Sequence, residues 1–190
     1  YNVCEKPINN EFITLVSLNE NKGGNVFYEV ARRMPHKKFL GVKGSYDIQL
    51  IQELPNVTII PNTPDIREVY MKTRILLMPS RYESWGRTAT EAMASGIPVI
   101  CAPTSGLKEN CGDAGLYTAK RAKLKDDNSY TDIEDDEPIV LSIIEQIKKL
   151  DKEKFYTEVS EKCRQRAAAL NPSKQLHELE QFIQTQSRHN

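Results

Sequence analysis

The feature that most constrains this chain is an alternation. Through its first 120 residues, short β-branched or apolar runs are separated by amphipathic stretches. The runs cover Phe12–Ser17, Lys38–Lys43, Asn56–Ile60, Ile75–Pro79, Pro98–Ala102 and a brief Gly115–Thr118. Several are apolar on successive residues, as at Ile75, Leu76, Leu77 and Met78, which is the pattern of strands buried on both faces. Helical spacing is predicted over Asn25–Met34, Asp47–Leu54, Asp65–Thr73, Gly86–Ser95 and Gly106–Cys111. Pro35, Pro55, Pro61, Pro79, Pro98 and Pro103 punctuate the boundaries, and Asp65 is placed to cap the third helix. Strands alternating with helices predict a Rossmann-like, doubly wound α/β domain, with a parallel sheet of about six strands covered on both faces.

The rest of the chain adds helices to that domain. Ile139–Leu150 and Lys154–Leu170 carry helical patterns, and a last helix over 173–186 places Leu176, Leu179 and Ile183 at helical spacing. Between them, 119–137 passes from Lys120, Arg121, Lys123 and Lys125 to a run of acidic residues with almost nothing apolar, which predicts a solvated, mobile loop. At 190 residues the whole chain, 1–190, is predicted to form a single domain.

Composition excludes several roles. Lys+Arg and Asp+Glu both number 26, so the chain lacks the net positive field on which non-specific nucleic-acid binding depends, and no nucleic-acid partner is expected. No apolar run is long enough to span a membrane. The chain opens on Tyr1, with neither a basic start nor an apolar signal core, and reads as a piece of a longer polypeptide. Its 4 cysteines form no CxxC pair and its 3 histidines stand apart from them, so no zinc site is expected. Reduced, mostly buried thiols and a cytoplasmic location are the expectation.

In open α/β sheets ligands bind beyond the carboxyl ends of the strands, so the informative residues follow each run. After the first come Asn19-Glu20-Asn21-Lys22-Gly23-Gly24 and a helix. Gly23 and Gly24 let the backbone approach a ligand, the helix N-terminus offers free amides, and Lys22 adds a full positive charge. Neither GxxxxGK[ST] nor GxGxxG is present. After the fourth run, Glu83 falls in the loop and Gly86, Arg87 and Thr88 open a helix. Ala89, Ala92 and Met93 form that helix's packing stripe, while Glu91 projects to one side, beside Thr88 and Ser95, where a carboxylate can accept from adjacent hydroxyls. Taken singly, Glu83 reads as a solvated loop carboxylate and Glu91 as a surface partner of Arg87.

Glu83 and Glu91, separated by seven intervening residues within PSRYESWG and EAMASGIPVI, resemble the donor-site signature of the retaining, group 1 (family 4) glycosyltransferases. Lys22-Gly23 resembles that family's Lys-Gly turn, Ala102–Glu109 its Gly-Leu-Pro-Glu loop and Gly112–Tyr117 its closing Gly-Leu strand, so the match runs over 12–118. The resemblance implies the C-terminal, donor-binding half of a two-domain GT-B enzyme whose N-terminal Rossmann-like half is missing here. It implies a nucleotide-diphosphate sugar as donor substrate, no metal and no other cofactor, and hexosyl transfer with retention of configuration. By motif position, Glu83 would be the catalytic-site carboxylate, binding hydroxyls of the transferred sugar, with Lys22, Gly23 and Gly24 at the pyrophosphate. Trp85, Gly86 and Arg87 would hold sugar or phosphate oxygens through amides, Thr88 would stand at the phosphate, Glu91 would bind the ribose, and Asn62 would lie near the nucleobase. The family often carries an Arg five residues before the Lys. This chain has Ser17 there, leaving Lys22 alone or assisted by Arg81, Arg87 or a residue of the missing half. Membrane association, peripheral and at an inner face, would come only through that half. A non-catalytic binding module of the same fold and a sugar-nucleotide epimerase are the alternatives.

Overall fold

The computed structural model describes residues 10–120, 122–124, 133–171 and 180. Six strands, β1 (Phe12–Val16), β2 (Lys38–Val42), β3 (Val57–Ile60), β4 (Thr73–Met78), β5 (Val99–Cys101) and β6 (Leu116–Tyr117), form one sheet in the order β3-β2-β1-β4-β5-β6. Every pair in it is parallel. The expected Rossmann-like α/β fold is therefore observed. This order reverses direction between β1 and β4, which creates a crevice at their carboxyl ends.

The helices are α1 (Gly24–Arg33), α2 (Arg67–Tyr70), α3 (Arg87–Ala94), α4 (Ser105–Cys111), α5 (Glu137–Leu150) and α6 (Glu153–Ala169). Each buries the stripe that its spacing predicts, with Val26, Phe27, Val30 and Ala31 on α1 and Ala89, Ala92 and Met93 on α3 fully enclosed. Ile143, Ile147 and Leu150 of α5 and Cys163 of α6 join the same core as Leu15, Leu76 and Leu77. The additional helices are thus integral to the domain. Arg33 clasps Glu137 at the start of α5 through two 2.7 Å bonds, and Arg74 of β4 lies over the Tyr156 ring of α6 at 4.0 Å. Cys101, Cys111 and Cys163 are free and buried. Burial pushes the Cys163 thiol up to about 12, so it stays protonated at neutral pH.

Three expectations are corrected. No helix forms over Asp47–Leu54. Asp47 sits at φ 62°, and Leu50 donates to the Leu18 carbonyl at 2.9 Å instead of to its own turn. Gln49 Oε1 accepts from the Leu18 and Gly44 amides, both at 2.8 Å. These bonds tie the segment to the β1 loop, and its apolar residues Ile48 and Ile51 remain exposed. The third helix shrinks to α2 because Thr73 is already in β4. Asp65 still accepts from a first-turn amide, that of Arg67, at 3.0 Å. Within 119–137, Ala122–Leu124 and Ile133–Asp135 pair antiparallel, so the arms of the expected loop form a ladder. The helix expected over 173–186 lies outside the described residues apart from Glu180. Among the described residues no helix is long and apolar enough to cross a membrane.

Candidate functional site

The carboxyl ends of β1 and β4 are each followed by a turn that feeds a helix, and the two turns meet over the crevice. In the first, Asn19 holds the loop: its Oδ1 accepts the Lys22 amide at 2.8 Å, and its Nδ2 donates to Ser17 Oγ at 3.1 Å and Asp47 Oδ2 at 3.2 Å. Gly23 then turns at φ 86° and α1 begins. In the second, Gly86 takes φ 80° immediately before α3, a left-handed conformation that a side chain would strain. A β-carbon there would also meet Leu107 Cδ2 at 2.7 Å. Neither Gly23 nor Gly86 can cap its helix with a side chain, so the first-turn amides of α1 and α3 keep donors for another acceptor. Helix α4 differs, since its Thr104 hydroxyl accepts from the Leu107 amide at 3.3 Å.

Lys22 and Glu83 form an ion pair across the seam between the turns. Glu83 is only 8% exposed, which removes it from the solvated loop that its sequence neighbours suggest. Ser80 donates to the same carboxylate oxygen at 3.3 Å. Beneath it, Gly106 lies so close to the Glu83–Ser84 backbone that a β-carbon would stand 2.3 Å from the Glu83 carbonyl oxygen. Lys22, Ser80, Glu83 and Thr88, with the ends of β1 and β4, line a pocket of about 160 Å³.

Glu91 occupies a separate setting one turn further along α3. It is 7% exposed. Tyr70 of α2 donates to its Oε2 at 3.0 Å, and the exposed Arg87 lies 3.6 Å from its Oε1. The expected neighbours do not serve it: Ser95 donates to the Glu91 main-chain carbonyl at 3.0 Å and Thr88 to Met78 Sδ at 3.7 Å. Burial, and behind it the charge of Glu91, holds the Tyr70 hydroxyl protonated well above the ordinary tyrosine range.

The structure therefore brings Lys22, Glu83 and Thr88 into one pocket, with Gly23, Gly24 and Gly86 shaping the helix starts above it. Trp85 is half-buried, and its carbonyl and that of Gly86 both accept from Asn110 Nδ2, at 2.8 and 3.0 Å. Asn62 stands apart, exposed after the edge strand β3 and donating to Ser45 Oγ. The two arginines that could stand in for a second cation are otherwise engaged, Arg81 with Glu20 at 3.5 Å and Arg87 with Glu91. Sequence reasoning missed Asn19, Ser80, Tyr70 and Asn110, which position the turns and carboxylates. Only Asn110 left a signal: it follows Leu107 by three positions on the apolar face of α4, where a polar residue must find partners. Among the described residues no group of three or more His, Cys, Asp or Glu side chains is placed to hold a metal ion.

A family model described as "Glycosyl transferases group 1" matches residues 10–127. Over 52 residues the chain is 42% identical to the O-antigen chain mannosyltransferase B of Escherichia coli, a match that covers 27% of this chain and 14% of that protein. In structure it is similar to sucrose-phosphate synthase from Thermosynechococcus elongatus, at 20% identity and TM-score 0.68, over 95% of this chain and 46% of that one. It is also similar to Anabaena Alr3699/HepE in complex with UDP and glucose, at 16% identity and TM-score 0.68, over 91% and 48% respectively. The two structural likenesses concern the fold. The chain spans less than half the length of each of these relatives.

Proposed function

This chain belongs to the group 1 glycosyl transferases, and from that premise we propose that it is the donor-binding half of a retaining, family 4 enzyme that moves a hexosyl group from a nucleotide-sugar to an acceptor. The observation that carries this reading is the convergence of Lys22, Glu83 and two helix starts without side-chain caps at the β1–β4 reversal. A diphosphate is the ligand that suits amides, a helix dipole and an ammonium together. The UDP and glucose held by the Anabaena relative support the ligand class.

In this reading the diphosphate lies between Lys22 and the first turn of α3, near Thr88. The amides of Gly86 and Arg87, beside Trp85, take its oxygens, and Gly23 and Gly24 let the α1 turn approach. Glu83 accepts from hydroxyls of the sugar and Glu91 from the ribose, using lone pairs that Tyr70 leaves open. The bond from the anomeric carbon to the diphosphate oxygen breaks and the bond to the acceptor oxygen forms. The acceptor's proton leaves with the diphosphate. Lys22 and the α3 amides offset the charge that develops there, an effect of about 3 kcal/mol for one strong donor, and no metal is assigned to the task. A pocket of about 160 Å³ is smaller than the ~300 Å³ at which small-molecule sites begin, which suits a site completed by a second, N-terminal half.

A thermal-shift screen of nucleosides, nucleoside diphosphates and their sugars tests the proposal. The diphosphates and sugar nucleotides of one base should raise the unfolding midpoint, and the nucleoside alone should raise it less. Glu91→Gln should weaken diphosphate and sugar nucleotide alike, by about 1.5–3 kcal/mol, since both carry the ribose. A midpoint that no diphosphate moves would contradict the proposal.

A further inference from the structure

Lys22 and Glu83 are assigned above to two parts of one donor, yet they bind each other across the seam. The pair engages Oε1 of Glu83 and one of the three ammonium donors, so a ligand that reaches either group meets it already partnered by the other. Their freedom differs. The Glu83 side chain is 9% exposed, bonded to Ser80, and set on backbone that packs directly against Gly106. The Lys22 side chain is 32% exposed on a flexible stem, with only its amide fixed by Asn19. The ammonium is the movable partner and the carboxylate the fixed one.

Resting on the donor-site reading, we infer that Glu83 competes with the diphosphate for the Lys22 ammonium, and so makes the site prefer a sugar-bearing diphosphate to the bare one. A diphosphate that approaches Lys22 meets a negative charge held against that ammonium, on a carboxylate whose side chain is only 9% exposed and so weakly screened by water. A donor compensates, because the hydroxyls of its sugar give Glu83 new hydrogen-bond partners as Lys22 turns to phosphate. The bare diphosphate offers Glu83 nothing. After transfer the sugar is gone, Glu83 takes Lys22 back, and the diphosphate is released. The same pair therefore favours substrate entry over product retention without any movement of the backbone.

Titration calorimetry on the 190-residue chain tests this, with UDP, GDP, ADP and TDP as bare probes and UDP-glucose and GDP-mannose as sugar-bearing ones. Glu83→Gln removes the competing charge and strands nothing, since Lys22 reaches solvent. It should bind the bare diphosphate at least about tenfold tighter than the unaltered chain, with the gain shrinking as salt rises. The ratio of sugar-bearing to bare affinity should fall by more than that factor. Glu83→Asp withdraws the carboxylate by one methylene and should give a smaller tightening. It decides the question alone if Glu83→Gln does not fold. A diphosphate that binds the unaltered chain and binds the variants no more tightly overturns the inference and leaves the donor-site reading standing. If no probe binds either protein, the donor-site reading falls and the inference with it.

Discussion

Glu83 and Glu91 are almost equally buried, at 8% and 7% exposure, but the regions around them are built on different terms. The partner of Glu83 is a lysine that a ligand can claim. The partner of Glu91 is Tyr70, a fully buried residue of the scaffold, and burial keeps the tyrosine hydroxyl a donor through the physiological range. One carboxylate is held by an exchangeable contact and the other by a permanent one. This fits their proposed tasks. The ribose is present in substrate and product alike and suits a preset acceptor, whereas the sugar is present only before transfer and suits an acceptor that changes partner.

That contrast can be broken from either side. The largest effect is expected from Gly106→Ala. The nearest atoms to a new β-carbon are all backbone, the Glu83 oxygen at 2.3 Å and the Ser84 carbon and oxygen at 2.4 Å, so the whole seat of Glu83 must shift. Urea unfolding should show a loss of about 3 kcal/mol, and the preference for sugar-bearing over bare diphosphate should vanish. Unchanged stability would mean that the seat is soft and that Glu83 is no fixed partner.

Tyr70→Phe attacks the other side. Losing the 3.0 Å donor to Glu91 should cost about 1.5 kcal/mol of stability and weaken nucleotide binding without altering the sugar preference. It should also change the alkaline limb. Tyr70 has a folded-state pKa above the ordinary value of 10.0, so its contribution is complete below pH 10 and is lost as pH rises beyond that, where the unfolded chain releases the proton first. Denaturation measured between pH 9 and 11 should fall less steeply in the variant, with Cys163 and the other buried tyrosines responsible for the remaining loss. The smallest effect belongs to Arg87→Gln. Arg87 has an 84% exposed side chain and sits 3.6 Å from Glu91, so the change in stability should be about 0.3 kcal/mol and disappear in 1 M salt. A loss as large as that from Tyr70→Phe would mean that the arginine, and not the tyrosine, holds Glu91.

What was legible in the sequence follows the same division between local and distant causes. The strands were legible because residues such as Ile75–Met78 are apolar on both faces, a property of the residues themselves. Lys22, Glu83 and Thr88 could be placed together because strand ends converge once the sheet is parallel. The failure at Asp47–Leu54 came from Gln49, whose side chain binds the Leu18 amide 31 positions earlier, a contact that no local period encodes. For the same reason the sequence offers Glu91 only companions on its own helix, Ser95 and Thr88, whereas Tyr70 reaches it from another element. Ser80 lies three residues before Glu83, but its role depends on which way the loop turns.

Lys22 joins both halves of this account, as the claimant of Glu83 and as the cation for the diphosphate. The most direct measurement is calorimetric titration of Lys22→Ala with a nucleoside and with its diphosphate, beside the unaltered chain. The diphosphate should lose about 2 kcal/mol, roughly thirtyfold in affinity, while the nucleoside keeps nearly all of its own. Equal losses for the two ligands would contradict the account and reduce Lys22 to a support of the turn before α1.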